Sequence, residues 1–225
     1  DAALDHVVER LAAAGYVLES LATASDRLRY RVEEYPLSAP AWEPISATLS
    51  IHGSERPILE LASNRNMLVT RSFSTTPDGV TAELVFAGSG SRTELDALDV
   101  RGKIVLADGD LSRVFRDAVQ ERGALGVLAY SLPGYLKPQV NKHSIQFKRI
   151  TMDEAASSWG IALSTDAREK LQTALEDGPV QVTVQTEVKW TPNAIERTVV
   201  ADIRGSDVPG ELTSWGFYRG NRTND

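Results

Sequence analysis

Hydrophobic and polar positions along this chain change period several times, and each change marks an element. Leu4, Val7, Val8, Leu11 and Ala12 fall at helical spacing, and Gly15 is placed to end a helix over residues 2–14. Between Asp26 and Pro36 the period drops to two: Leu28, Tyr30 and Val32 alternate with charges, as in a half-buried strand. Pro36, Pro40 and Pro44 then break regular structure. Residues 46–51, 59–62, 66–72 and 81–86 read as short strands, with Asp78-Gly79 after Pro77 forming a tight turn before the last. Gly88-Ser-Gly-Ser91 is a further turn, followed by a short helical or irregular linker over 92–98.

The pattern is densest between Asp99 and Tyr130. Ile104 to Ala107 is a continuous apolar run, expected of a strand covered on both faces. An amphipathic helix beginning near Phe115 leads through Gly123-Ala-Leu-Gly126 into a second buried strand. Ile104, Val105, Leu106, Val119, Leu125, Val127 and Leu128 are the expected core of this β-α-β unit. Residues 131–150 form a long polar loop. A short strand over 159–163 then precedes a helix over 166–176, capped by Ser164 or Thr165, with Ala167, Leu171, Ala174 and Leu175 as its buried stripe. Val180 to Val188 alternates strictly and Thr198 to Ile203 is apolar; both read as strands. Trp42, Trp159, Trp190 and Trp215 read as core or junction packing, with Trp159 and Trp190 wedged about the 166–176 helix.

Composition narrows the field of function. With 225 residues the chain is long enough for one large domain or two small ones. A net charge of −7 and no basic stripe argue against a nucleic-acid partner. The absence of cysteine excludes disulfides and thiolate metal sites. No apolar run reaches the roughly 20 residues of a membrane helix. The chain starts at Asp1 rather than Met, so a processed or trimmed precursor is expected. Its compartment is secreted or cell-envelope if a signal peptide was removed, and cytoplasmic otherwise.

Candidate chemistry is sparse. The histidines His6, His52 and His143 lie far apart in sequence, and only His6 and Glu9 share a helix face at metal-binding spacing. A wet helix face accounts for that pair, because a zinc site needs further ligands. No Gly-x-Ser-x-Gly elbow is present. His143-Ser144 are loop neighbours, and Gly88 and Gly90 make a turn rather than a phosphate cradle. Glu33-Glu34 and Asp108 with Asp110 read as strand and turn edges. No catalytic, cofactor-binding or metal residue is assigned.

Asp99-Val-Arg-Gly-Lys-Ile-Val-Leu-Ala-Asp108, the following helix and Gly123-Ala-Leu-Gly-Val-Leu-Ala-Tyr130 together resemble the protease-associated domain. The segment Phe73 to Phe86 is similar to the first strands of that domain where it is inserted into zinc aminopeptidases of the glutamate carboxypeptidase and transferrin-receptor type. The helix over 2–14, the strand over 27–34 and Thr198 to Glu211 are similar to the flanking peptidase segments. The resemblance spans roughly residues 2–211. It implies an α/β (α+β) fold: a β-rich protease-associated domain at 45–184, inserted into a partial peptidase-like unit made of 1–44 and 185–225.

The resemblance also implies where this chain departs. The family continues into a His-x-Asp-type zinc segment after the stretch matched by Glu211, whereas here Leu212 to Asp225 contains no histidine. Zinc is thus expected in full-length relatives and not in this chain, through truncation, a shifted reading frame or divergence. The expected function is a non-catalytic region that covers a peptidase cleft and helps select peptides. Its expected partners are a peptide or protein, the missing peptidase domain and a second copy in a homodimer. The alternatives are a hydrolase with a site near His143, or a stand-alone interaction domain.

Overall fold

A computed structural model of the chain describes residues 2–152, 154–155, 157–205 and the backbone of 212–219. The fold is α+β, and its contacts divide it into two compact units: residues 42–190, and a unit formed by residues 1–41 with 191–225.

The discontinuous unit joins the two ends of the chain in one sheet. Helix α1 (Ala2–Ala13) precedes the two-residue strand β1 (Val17–Leu18) and strand β2 (Leu28–Pro36). From the other end come β10 (Ile195–Arg204) and β11 (Leu212–Arg219), and the sheet order is β1-β2-β10-β11. β2 and β10 run antiparallel, with Ile195 opposite Pro36 and Ile203 opposite Leu28. Charges stitch this ladder. Arg197 pairs with Glu34 directly across it at 2.8 Å, and Arg31 reaches Asp202 and Glu33 at 2.6 Å each.

Residues 42–190 hold a seven-stranded sheet in the order β4-β3-β9-β5-β6-β7-β8. Its strands are β3 (Ala41–Ile51), β4 (Leu59–Glu60), β5 (Val80–Phe86), β6 (Ile104–Ala107), β7 (Gly126–Ala129), β8 (Trp159–Ala162) and β9 (Gln181–Thr191). β9 is antiparallel to β5, and β5 through β8 are mutually parallel. Every residue of β6, β7 and β8 is buried, which is why these segments read as apolar runs rather than alternating ones. Helices α2 (Arg92–Asp96), α3 (Leu111–Phe115) and α4 (Thr165–Glu176) complete the unit. Ser164, not Thr165, caps α4, accepting a hydrogen bond from the Ala167 N–H.

Several expectations need correction: Pro36 and Pro44 lie within β2 and β3 rather than outside regular structure. Residues 66–72 make no regular strand; they bridge at Leu68 to Ile161 and at Thr70 to Arg149. The Val69 N–H donates to Gly160, and the Ala162 N–H donates to Met67, so this buried segment closes the free edge of β8. The expected helix from Phe115 instead starts at Leu111 under an Asp110 cap, and it passes into a π-helical turn over Arg116–Gln120. That turn carries Asp117 inward. Burial pushes its carboxyl pKa up, and Arg116 and Arg92 outweigh that and hold it below the ordinary value. Leu125 lies outside the core, 39% exposed, because Ala124 takes the buried position at the entrance to β7. The other six expected core residues are buried.

The tryptophans do not wedge about α4. The Trp159 ring fills the space above Gly126, its partner across the β7–β8 ladder, and a Cβ at Gly126 would stand 2.6 Å from that ring. Trp190 packs against Phe73 with ring centroids 5.3 Å apart, and the Trp42 indole donates to the Ser72 carbonyl at 2.8 Å. The side chain of Trp215 lies outside the described residues.

Candidate functional site

Parallel strands end together, and the residues that follow them converge at their carboxyl edge. Asp108 follows β6, Tyr130 follows β7, and Arg168 stands in the first turn of α4 after β8. They line a cleft of about 520 Å³ with Gly109, Ser131, Leu132, Pro133, Gln146 and Lys148. The long loop after β7 supplies five of these. Gln146 and Lys148 are half-buried in the wall, and Phe147 between them is exposed.

Arg168 organises the cleft. Its Nε and Nη2 grip both carboxylate oxygens of Asp108, a bidentate pair, and its guanidinium lies 5.1 Å from the Tyr130 ring centroid. The hydrogen bond to Asp108 raises the Arg168 pKa above its ordinary value, against the opposing effect of desolvation. The Tyr130 hydroxyl sits 3.2 Å from the Thr165 hydroxyl, tying the end of β7 to the start of α4. Lys148 has no such partner: its ammonium makes no hydrogen bond or ion pair among the described residues.

The Gly88-Ser-Gly-Ser91 turn is a different kind of anion site. The Glu94 carboxylate accepts hydrogen bonds from the N–H and hydroxyl groups of both Ser89 and Ser91. Ser89 first, and then Ser91, hold the Glu94 pKa down at about 2. The loop is therefore filled by the chain's own carboxylate in a capping box, which closes it to a phosphate. A Cβ on Gly88 would meet Glu94 Oε1 at 2.1 Å.

The remaining candidates do not assemble. His6 and Glu9 stay on α1; His52 Nδ1 lies 3.2 Å from the Thr183 hydroxyl. His143 is 86% exposed and 3.9 Å from Asp166, whose same oxygen pairs with Lys170 at 2.8 Å. No hydroxyl hydrogen-bonds to His143 among the described residues, and His143 does not line the cleft. Asp110 caps α3, and Glu33 and Glu34 serve the β2 ladder. Among the described residues no three His, Cys, Asp or Glu side chains group closely enough to hold a metal ion. No described helix is long and apolar enough to cross a membrane.

Sequence reasoning missed Lys148 and Arg168. The signal available was partial: Asp108 and Tyr130 stand just past the apolar runs, whereas Lys148 lies within the long loop and Arg168 in the first turn of the following helix.

No family model matches the sequence, and no curated protein matches it. Solved structures do resemble the fold. A zinc aminopeptidase from Bacillus subtilis matches over 80% of this chain at TM-score 0.54 and 21% identity, with 38% of its own length covered. A peptidase M28 precursor from Shewanella amazonensis matches over 78% at TM-score 0.52 and 17% identity, with 42% of its length covered. The chain thus spans about two fifths of the structures it matches, and what it has in common with these peptidases is the fold of that part.

Proposed function

We propose that this chain is a non-catalytic, protease-associated region of a zinc-aminopeptidase-like protein, which covers a peptidase cleft and helps select peptides. One observation carries the reading: β2 and β10, from opposite ends of the chain, pair over nine residues each, so residues 42–190 are an insertion within a second unit. The parallel β5–β8 half-sheet gives that insertion a rigid floor, and its open edge carries a cleft rather than a donor set. The partners this implies are a peptide or protein, the remaining peptidase structure and a second copy of the chain.

The test uses the full chain. Calorimetric titration with zinc should show no stoichiometric uptake, and aminoacyl-nitroanilide substrates should not turn over. Stoichiometric zinc binding together with turnover would overturn the reading.

A further inference from the structure

The geometry points to the carboxyl edge of β6–β8 as a binding site for the carboxylate of a peptide, held by Lys148 beside Arg168. The peptide as ligand rests on the function proposed above; the carboxylate rests on the cleft itself. Three charged side chains line it: Asp108, Arg168 and Lys148. The first two neutralise each other in a bidentate pair, which leaves Lys148 as the uncompensated positive charge among the residues lining the cleft.

Lys148 as a residue is half-buried in the cleft wall, in a chain whose net charge is −7. The Lys148 side chain lines the cleft with no anion beside it among the described residues, and a ligand carboxylate would supply that partner. The Arg168 Nη1 group likewise makes no hydrogen bond among the described residues, so its N–H groups are available to the same anion. Asp108 sets the guanidinium plane and Tyr130 backs it, so the Arg168 group is fixed before a ligand arrives. Gln146 and Ser131 add polar lining suited to a peptide amide, and Leu132 and Pro133 add an apolar wall for a side chain.

The recognised group is thus a carboxylate beside an apolar side chain. Two sources carry it, a chain terminus and a glutamate side chain. Three probes separate them: N-acetyl-leucyl-glycyl-leucine as free acid, the same peptide as C-terminal amide, and N-acetyl-leucyl-glutamyl-leucine amide. Binding to the full chain is read by calorimetry. At least one carboxylate-bearing probe should bind about tenfold or more tighter than the neutral amide, as a charged hydrogen bond implies. Which probe does so identifies the source.

Lys148→Met keeps the aliphatic stem and should abolish the preference without moving the thermal midpoint. Equal binding of the neutral amide, a preference retained in Lys148→Met, or no binding of any probe at millimolar concentration would overturn the site. Those failures leave the non-catalytic reading standing as long as zinc uptake and turnover stay absent. Zinc uptake with turnover overturns that reading whatever the peptides do.

Discussion

The two units build sheets by different means. Residues 42–190 bury a continuous apolar cluster from Ala47 to Val184, with Ile104, Leu106, Val127, Leu128 and Ile161 at its centre. The discontinuous unit has only Val199, Val200 and Ala201 as buried apolar residues among those described, and α1 has none. It buries polar groups instead, Glu196, Thr198 and Asp202, and leaves Val32, Tyr35, Ile195 and Ile203 partly exposed. Among the described residues, this sheet relies on its backbone ladder and on half-buried or exposed ion pairs, and it has less of the hydrophobic term that dominates folding. Among the described residues, the inserted unit thus has the larger share of the apolar burial that stabilises a fold.

The most direct way to break this contrast is Val105→Asp. Val105 is fully buried in β6, and an unpaired carboxylate there costs several kcal/mol. Loss of the cooperative melt of residues 42–190 is expected; a retained thermal midpoint would refute the core. Next comes Gly126→Val, which drives a side chain into the Trp159 ring and should cost about 1–3 kcal/mol by urea denaturation. An unchanged urea midpoint would mean that Trp159 does not occupy that space.

Glu94→Gln sharpens the comparison through pH. The Glu94 pKa is lower in the folded state than in the unfolded one, so its stabilisation is complete above about pH 4.5 and fades as pH falls through about 2. The stability difference between wild type and variant should be constant near neutrality and shrink across that acidic window. A difference independent of pH would show that the turn does not hold the ionised carboxylate. The smallest effect belongs to the discontinuous unit: Arg197→Ala removes a half-exposed pair with Glu34 and should cost below about 0.5 kcal/mol. A loss approaching that of Gly126→Val would contradict the weak contribution assigned to surface charges.

Parts of this layout are legible in the chain. The runs at 104–107 and 126–129 announce strands because burial on both faces demands continuous apolarity, and Val180 to Val188 does so because one-sided burial demands alternation. The segment 66–72 misleads for the same reason. Met67, Leu68 and Val69 are buried, so they carry a strand's apolarity, while their backbone groups cap the edge of β8 instead of entering the ladder. Leu125 misleads in the opposite sense, since its neighbour Ala124 fills the core position. The Gly88–Ser91 turn is visible as a turn, and the Ser91-x-x-Glu94 spacing marks a capping box, whereas the further bonds of Glu94 to Ser89 show only in the structure.

By itself the sequence determined the two apolar strands and narrowed the α4 cap to Ser164 or Thr165, each of which depends on residues within a few positions of one another. Only the tertiary structure decided the cleft. Asp108, Tyr130, Lys148 and Arg168 are up to 60 positions apart, and they meet because three parallel strands end at one edge. Local propensity cannot encode that meeting. It is set by the order in which the strands pair, and that order is a property of the whole sheet.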